Sequence, residues 1–421
     1  MPTSAPDWVS CWQQLDAWLH QHHSLWQSQP FSTPSPDWAE RYPELAAWLE
    51  QLDDATCQHY EEQPDELIQP LMQWLPTLAQ RQQLLMLPEL TGTTDCSLPE
   101  NLAKAMPGRK RQQAGAFAGA ILPLQTAVFD WCCGSGHLAR TLAPHTHGSV
   151  TGLEWDKALV QKGNQLAQAA GDAVQIRQQD VMQLGDFWPV EPHGVALHAC
   201  GDLHRQLIHQ AISRHLSRLS LSPCCYHLIQ QPQWQPLSQQ AKNSRLQGLD
   251  RTLLRLAVQE TVTAPERVTR QRDQLNLWRL AFDGLQRQLR GQEHYLPLPS
   301  VSPTLLQGRF TDFCRWAAAE KQLNLPVKID EQQWLAYGKQ RLQQVQRHEL
   351  LRHLFRRPLE LWLVLDYVLT LQEAGYQVRL GTFCNRQLTP RNLLIDARFV
   401  DMGQIEHHKS ANTDNTNSMC K

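Results

Sequence analysis

The run Val128-Phe-Asp-Trp-Cys-Cys-Gly-Ser-Gly-His-Leu138 carries the clearest chemistry in this sequence. An acid, Asp130, closes a short apolar stretch, and Gly134 and Gly136 follow just before a helical pattern begins. Glycines there let the backbone approach a ligand, and a helix N-terminus offers free N–H groups and a positive dipole end. A second apolar stretch ends in Glu154, 24 residues after Asp130, where a carboxylate can accept both hydroxyls of a ribose. A third is followed by Asp180, placed to accept from an adenine amino group. Three acids at three successive strand ends, with Cys132 and Ser135 in the glycine loop, read as a site for a nucleoside cofactor.

Two cofactor classes fit that description. Gly134-x-Gly136-x-x-Ala139 with Glu154 matches a nicotinamide dinucleotide fingerprint. Asp130 argues against it, because a pyrophosphate would meet a repelling carboxylate at the end of the first strand. S-adenosylmethionine brings a cationic ammonium and sulfonium, which an acid there favours, and is the cofactor expected.

Acceptor chemistry gathers in two further runs, His198-Ala-Cys-Gly-Asp202 and Cys224-Cys-Tyr-His227. In one route His198, Asp202 or His227 removes a proton from a hydroxyl or ring nitrogen as it attacks the sulfonium methyl; a histidine titrating near neutrality suits that task. In the other, Cys200 or Cys224 adds to a pyrimidine ring and activates its C5 carbon. Tyr226 completes the expected pocket. His198, Cys200, Cys224, Cys225 and His227 could converge where the fourth and fifth strands end, but they lack the Cys-x₂₋₄-Cys or His-x₃₋₅-His spacing of zinc sites, so a structural metal site is the alternative and no metal the expectation.

The elements that must position these residues are legible in the hydrophobic period. Thr126–Asp130, Ser149–Glu154, Ala173–Gln178, Gly194–Ala199 and Arg218–Ser222 are short, apolar and partly β-branched. Helical patterns lie between them at His137–Ala143, Asp156–Ala170 and Asp202–Leu216. That alternation predicts an α/β fold with a Rossmann-like parallel sheet, whose ligands bind at the carboxyl ends of the strands. The apolar stretch Pro358–Glu373 predicts a last helix, and Tyr376, Val378 and Leu380 with Asn392–Phe399 predict a closing antiparallel hairpin, seven strands in all. Trp8, Trp12, Leu15, Leu19, His22 and Trp26 fall on one helical face near the N-terminus.

Charge divides the chain. Residues 1–100 hold two basic side chains against fifteen acidic ones, while the whole chain of 421 residues has a net charge of −2. The opposite signs predict separate folding units. The expected layout is an acidic, Trp-rich helical domain (1–95), a cofactor-binding core (100–227), a helical insertion (228–354), the last helix and hairpin completing the sheet (355–400), and a disordered tail (406–421). The polar stretch Thr91–Ser97 reads as a linker. Arg supplies 29 of the 39 basic residues, and its planar fork pairs bidentately with phosphate, so the Arg-rich positive region predicts an RNA substrate. Arg109-Lys110-Arg111 and Arg341–Arg357 are the expected contacts, with the N-terminal helices a candidate docking face for a protein partner. There is no apolar run of membrane-spanning length and no export signal, and an odd count of 11 Cys suits a reducing compartment. A cytoplasmic protein without membrane association is expected.

Several of these blocks resemble a known family. Phe129–Leu138, Leu197-His-Ala-Cys-Gly-Asp-Leu203, Cys224-Cys-Tyr-His227, Leu363–Glu373 and Leu388-Thr-Pro-Arg-Asn-Leu393 are similar to class I methyltransferases. The group includes the ribosomal-RNA-adenine-dimethylase-domain-containing and glutathione S-transferase C-terminal-domain-containing proteins; a tRNA 2′-O-methyltransferase is more distantly similar. Gly108-Arg-Lys-Arg111 matches more weakly, and Cys132 stands where the usual loop has its first glycine. The resemblance implies S-adenosylmethionine binding by Asp130, Gly134, Gly136, Glu154 and Asp180, with His198 and Cys200 at the lip of the fourth strand. It leaves the acceptor open. The Asn/Asp-Pro-Pro-aromatic motif of exocyclic amine methylation is absent after the fourth strand, which disfavours adenine N6. A protein or small-molecule methyltransferase, and a non-catalytic module retaining the sheet, are the alternatives to an RNA enzyme.

Overall fold

A computed structural model of the chain describes residues 6–103, 105–124, 127–185, 187–260 and 266–400. The expected tail lies outside these residues, as does the start of the first predicted strand. Two compact units emerge. One joins Met1–Ala17, Leu84–Val262 and Leu359–Lys421; the other joins Trp18–Gln83 and Thr263–Pro358.

The first unit is the predicted α/β fold. Among the described residues, seven strands form one sheet: β1 (Val128–Trp131), β2 (Val150–Glu154), β3 (Val174–Gln178), β4 (His193–Cys200), β5 (Arg218–Cys224), β6 (Tyr376–Thr382) and β7 (Leu393–Phe399). Their order is β3-β2-β1-β4-β5-β7-β6. β1 to β5 run parallel, and β7 lies antiparallel to both β5 and β6. Helices at His137–Leu142, Lys157–Ala170 and Asp202–Ser213 make the crossovers, so the carboxyl ends of all five parallel strands share one edge. β1 and β2 are buried throughout, as strands covered on both faces must be. The closing hairpin is held by an ion pair, Arg218 Nε to Asp396 Oδ1 at 2.9 Å, across β5 and β7.

The stretch expected to be a linker is part of this unit. Leu90 donates its N–H to Thr382 O at 2.8 Å, and Cys96 and Leu98 are buried. The N-terminal segment is anchored here as well: Asp16 accepts from Trp362 Nε1 at 2.9 Å and from Ser244 Oγ at 2.5 Å, and the Trp12 and Trp362 rings lie 6.0 Å apart.

The second unit corrects the expected domain division. Residues 1–95 are not a separate acidic domain, nor is 228–354 a separate insertion. Acidic residues of the N-terminal helices instead pair with the basic Glu331–His353 helix and the residues after it. Glu61 pairs with Arg356 and His353, both at 2.6 Å, Asp54 with Arg347 at 3.2 Å, and Glu50 with His348 at 3.6 Å. Opposite charges meet within one unit here and do not mark a boundary between two. Their buried cations also satisfy backbone carbonyls: Arg341 donates to Pro30 O and Arg352 to Trp26 O, each at 2.9 Å. Arg341, Arg347 and Arg352 are therefore interior groups, not the phosphate contacts expected of Arg341–Arg357. Beneath lies a cluster around Trp278, Phe282, Phe313 and Trp334. All six residues of the predicted Trp8–Trp26 stripe are buried.

Candidate cofactor and acceptor site

The glycine loop folds as its residue types demand. Gly136, at φ +71°, caps the His137–Leu142 helix, and a Cβ added to it would meet Ile176 Cδ1 at 2.6 Å. Gly134 also has a left-handed backbone, at φ +59°, but a Cβ there would meet nothing within 4 Å, so the loop has a bare face. Cys132 adopts φ +57°, which explains why related loops use glycine at this place.

Two carboxylates frame the loop. Asp130 is buried and accepts the Ala139 N–H at 3.1 Å. Burial pushes its carboxyl up to about 7. Glu154 accepts from Gly134 N at 2.9 Å and Asp156 N at 3.0 Å. Beside it Trp155 leaves its ring 71% exposed, a flat surface that the sequence reading passed over. Ser135 is buried, its Oγ 3.0 Å from His137 Nε2. Asp180 is exposed and accepts from Met182 N at 2.9 Å in its own turn.

The acceptor runs lie at the same sheet edge. β4 neighbours β1, and Trp131 Nε1 donates to Leu203 O at 2.9 Å, tying the end of β1 to the segment after β4. β4 and β5 shift register between Leu197 and Cys200, where His198 takes φ +63°. The two runs interlock. Asp202 N donates to Leu228 O at 3.0 Å, Gly201 N donates to Cys224 O at 3.1 Å, and Asp202 Oδ2 accepts from Gln230 N at 2.7 Å. Gly201 sits so close to Leu228 that a Cβ would meet its carbonyl oxygen at 2.0 Å. The His-Ala-Cys-Gly-Asp and Cys-Cys-Tyr-His blocks are two halves of one structural joint.

This joint separates the expected pocket residues. Asp202 is committed to the 228–230 turn and to Arg205 at 3.5 Å. Tyr226 is only 1% exposed, its hydroxyl donating to Pro223 O at 3.2 Å beside Glu360, so it packs beneath the site and does not line it. His198 is half-buried, and no described group hydrogen-bonds its ring; burial holds it neutral, down to about 4. His227 is half-buried, with a buried Nδ1 that has no hydrogen-bond partner, and burial lowers it too.

The thiols come together. The sulfurs of Cys200, Cys224 and Cys225 all lie within 4.8 Å of one another, with Cys200 and Cys224 at 3.7 Å. Hydrogen bonding with Cys200 and with each other holds the Cys224 thiol well above its ordinary range and pulls Cys225 far below it. Cys225, read from the sequence only as a possible metal ligand, is thus the thiol of the group with the lowered range, and Cys200 and Cys224 those with the raised one. The sequence reading also missed the supports behind them. His204 bridges Ala199 O and Tyr367 Oη, both at 2.9 Å, and Asp366 accepts from the backbone of Leu237 and Ser238.

Residues 121–232 match the family model for a methyltransferase domain. Among solved structures, TrmN from Thermus thermophilus is similar at 20% identity and a TM-score of 0.24, over 28% of this chain and 39% of that one. An rRNA methylase from Streptococcus thermophilus is similar at 16% identity and a TM-score of 0.23, over 28% and 70% of the two chains. Precorrin-6y C5,15-methyltransferase from Geobacter metallireducens is similar at 15% and 0.25, over 32% and 72%. The chain thus spans well under half of the first of these, and likenesses so partial decide no substrate. No helix among the described residues is long and apolar enough to cross a membrane.

Proposed function

We propose, for a chain whose residues 121–232 form a class I, S-adenosylmethionine-dependent methyltransferase domain, that it methylates an RNA at a hydroxyl or ring nitrogen. The fit of the cofactor rests on the loop itself. Gly134 leaves a bare backbone face, Asp130 offers a buried carboxyl toward a cationic ligand, and Glu154 offers carboxylate oxygens to ribose hydroxyls. Trp155 is the ring available to stack on the adenine, and Asp180 the acceptor for its amino group. S-adenosylmethionine supplies a methyl on a sulfonium with a neutral thioether as leaving group.

One observation carries the RNA reading. Lys110 and Arg255 are exposed, have no ion pair or hydrogen bond among the described residues, and lie near enough to the acceptor histidines for their charge to act on His198 and His227. Exposed, unpaired cations near these histidines suit a polyanion. Arg109 and Arg111 are already committed, to Leu388 O at 2.7 Å and Leu98 O at 2.9 Å, so the basic run reduces to Lys110. In this reading His198 accepts the hydrogen bond of the acceptor's O–H or N–H with a ring that no protein group occupies.

The test offers labelled S-adenosylmethionine and the full chain to RNA, protein and small-molecule fractions of cells lacking the protein. Label in RNA that disappears with Asp130→Asn supports the proposal. Label confined to protein or small molecules overturns the RNA acceptor and leaves methyl transfer standing.

A further inference from the structure

We propose that Cys200, Cys224 and Cys225 bind a zinc ion through their thiolates at the junction of β4 and β5. The three sulfurs lie within 4.8 Å of one another, and Cys200 Sγ to Cys224 Sγ is 3.7 Å. Four ligands around zinc at a Zn–S bond of about 2.3 Å stand roughly 3.8 Å apart along each tetrahedral edge. The observed spacing is that of co-ligands and far exceeds the roughly 2.05 Å of a disulfide.

The backbone points the same way. His198 and Cys225 both hold positive φ, +63° and +50°, though neither is glycine, and β4 breaks register just ahead of Cys200. Left-handed conformations in L residues persist where surrounding structure or a ligand holds them. These two turn the ends of β4 and β5 so that three thiols face one point. A second, independent feature is His227. Its Nδ1 is buried without a hydrogen-bond partner two residues after Cys225; it stands outside the cluster of three sulfurs, so a turn of its ring or a solvent molecule would supply the fourth ligand. Nearby positive charge from Arg391 and Arg255 offsets the negative charge of three thiolates on a divalent ion.

The site lacks the usual sequence spacing of zinc ligands, because 23 residues separate Cys200 from Cys224 and the pair is made by strand adjacency. A bound ion would clamp the 198–202 and 224–230 segments, the same joint that Gly201 and Asp202 stitch by hydrogen bonds. The inference does not depend on the acceptor or on methyl transfer.

The experiment uses the full chain purified without chelator under reducing conditions. Elemental analysis should find about one zinc per chain, and Cys200→Ser and Cys225→Ser should lose most of it. Because a variant can misfold, wild-type chain stripped of metal is also titrated with Co²⁺, which should give thiolate-to-cobalt charge-transfer absorption and the visible bands of a tetrahedral ion. Absence of both zinc and the cobalt spectrum in the wild-type chain overturns the proposal. So does full zinc occupancy in a folded Cys200→Ser/Cys225→Ser double variant, which would put the ion elsewhere.

Discussion

The Glu154 carboxylate reaches from the end of β2 to the loop after β1 and accepts the Gly134 N–H at 2.9 Å. One side chain therefore holds the glycine loop in shape, and on the proposed cofactor reading its oxygens also accept from the ribose hydroxyls. Replacing it with alanine should weaken S-adenosylmethionine binding by about 1.5–3 kcal/mol, or roughly 10- to 100-fold, through lost charge-assisted hydrogen bonds. Calorimetry of wild type and Glu154→Ala, with NAD as a control ligand, checks this. Heat with NAD and none with S-adenosylmethionine would refute the cofactor assignment.

The two loop glycines should fail differently. A methyl at Gly134 meets no atom within 4 Å, whereas one at Gly136 runs into Ile176. Gly134→Ala should cost only the left-handed backbone penalty, about 1–2 kcal/mol, yet sharply reduce cofactor affinity by filling the bare face. Gly136→Ala should add a steric clash and lower the melting temperature further. Equal melting temperatures with equal cofactor affinities would show that the bare face is not the binding surface.

The buried Asp130 carboxyl predicts that cofactor binding depends on pH. Its carboxyl titrates at about 7 in the folded chain against 3.8 when free, so between those values the folded chain keeps a proton that the unfolded chain releases. The stability contributed by this group is full below pH 3.8 and is lost as pH rises through about 7. A cationic cofactor needs the ionised form. Affinity should therefore rise between pH 6 and pH 8, with proton release measurable by calorimetry in buffers of different ionisation enthalpy. Flat affinity without proton release would mean that no positive charge approaches Asp130.

Two basic side chains from the positive region should separate cleanly. Lys110→Ala should leave the melting temperature unchanged, weaken RNA binding, and reduce the slope of log affinity against log salt by about 1. Arg352→Ala removes a buried cation bonded to Trp26 O at 2.9 Å and Glu349 at 3.2 Å, and should destabilise the chain by about 3–5 kcal/mol. If Arg352→Ala stays fully stable but loses RNA binding, that residue is a phosphate contact after all.

What could be read from the sequence was what depends on near neighbours along the chain. Alternating apolar stretches marked β1 to β5, Gly134 and Gly136 marked the turn, and the alternation at Tyr376, Val378 and Leu380 marked the closing hairpin. Strand propensity, helix period and positive-φ turns are local preferences, so the sheet and the strand ends bearing Asp130 and Glu154 were legible. Tertiary structure alone decided which groups remain free. Tyr226 and Asp202 look catalytic in sequence, but one is sealed against Glu360 and the other accepts from Gln230. The Arg side chains of 341–352 look like phosphate contacts, but they are buried against N-terminal carbonyls some 300 residues away. The charge split, read as a boundary, proved to be complementarity within one unit. Cys200 meets Cys224 and Cys225 where β4 and β5 pair and the backbone turns at His198 and Cys225, a geometry that spacing alone does not set. Residue spacing records distance along the chain, whereas burial, pairing and coordination depend on distance through space, which packing alone sets.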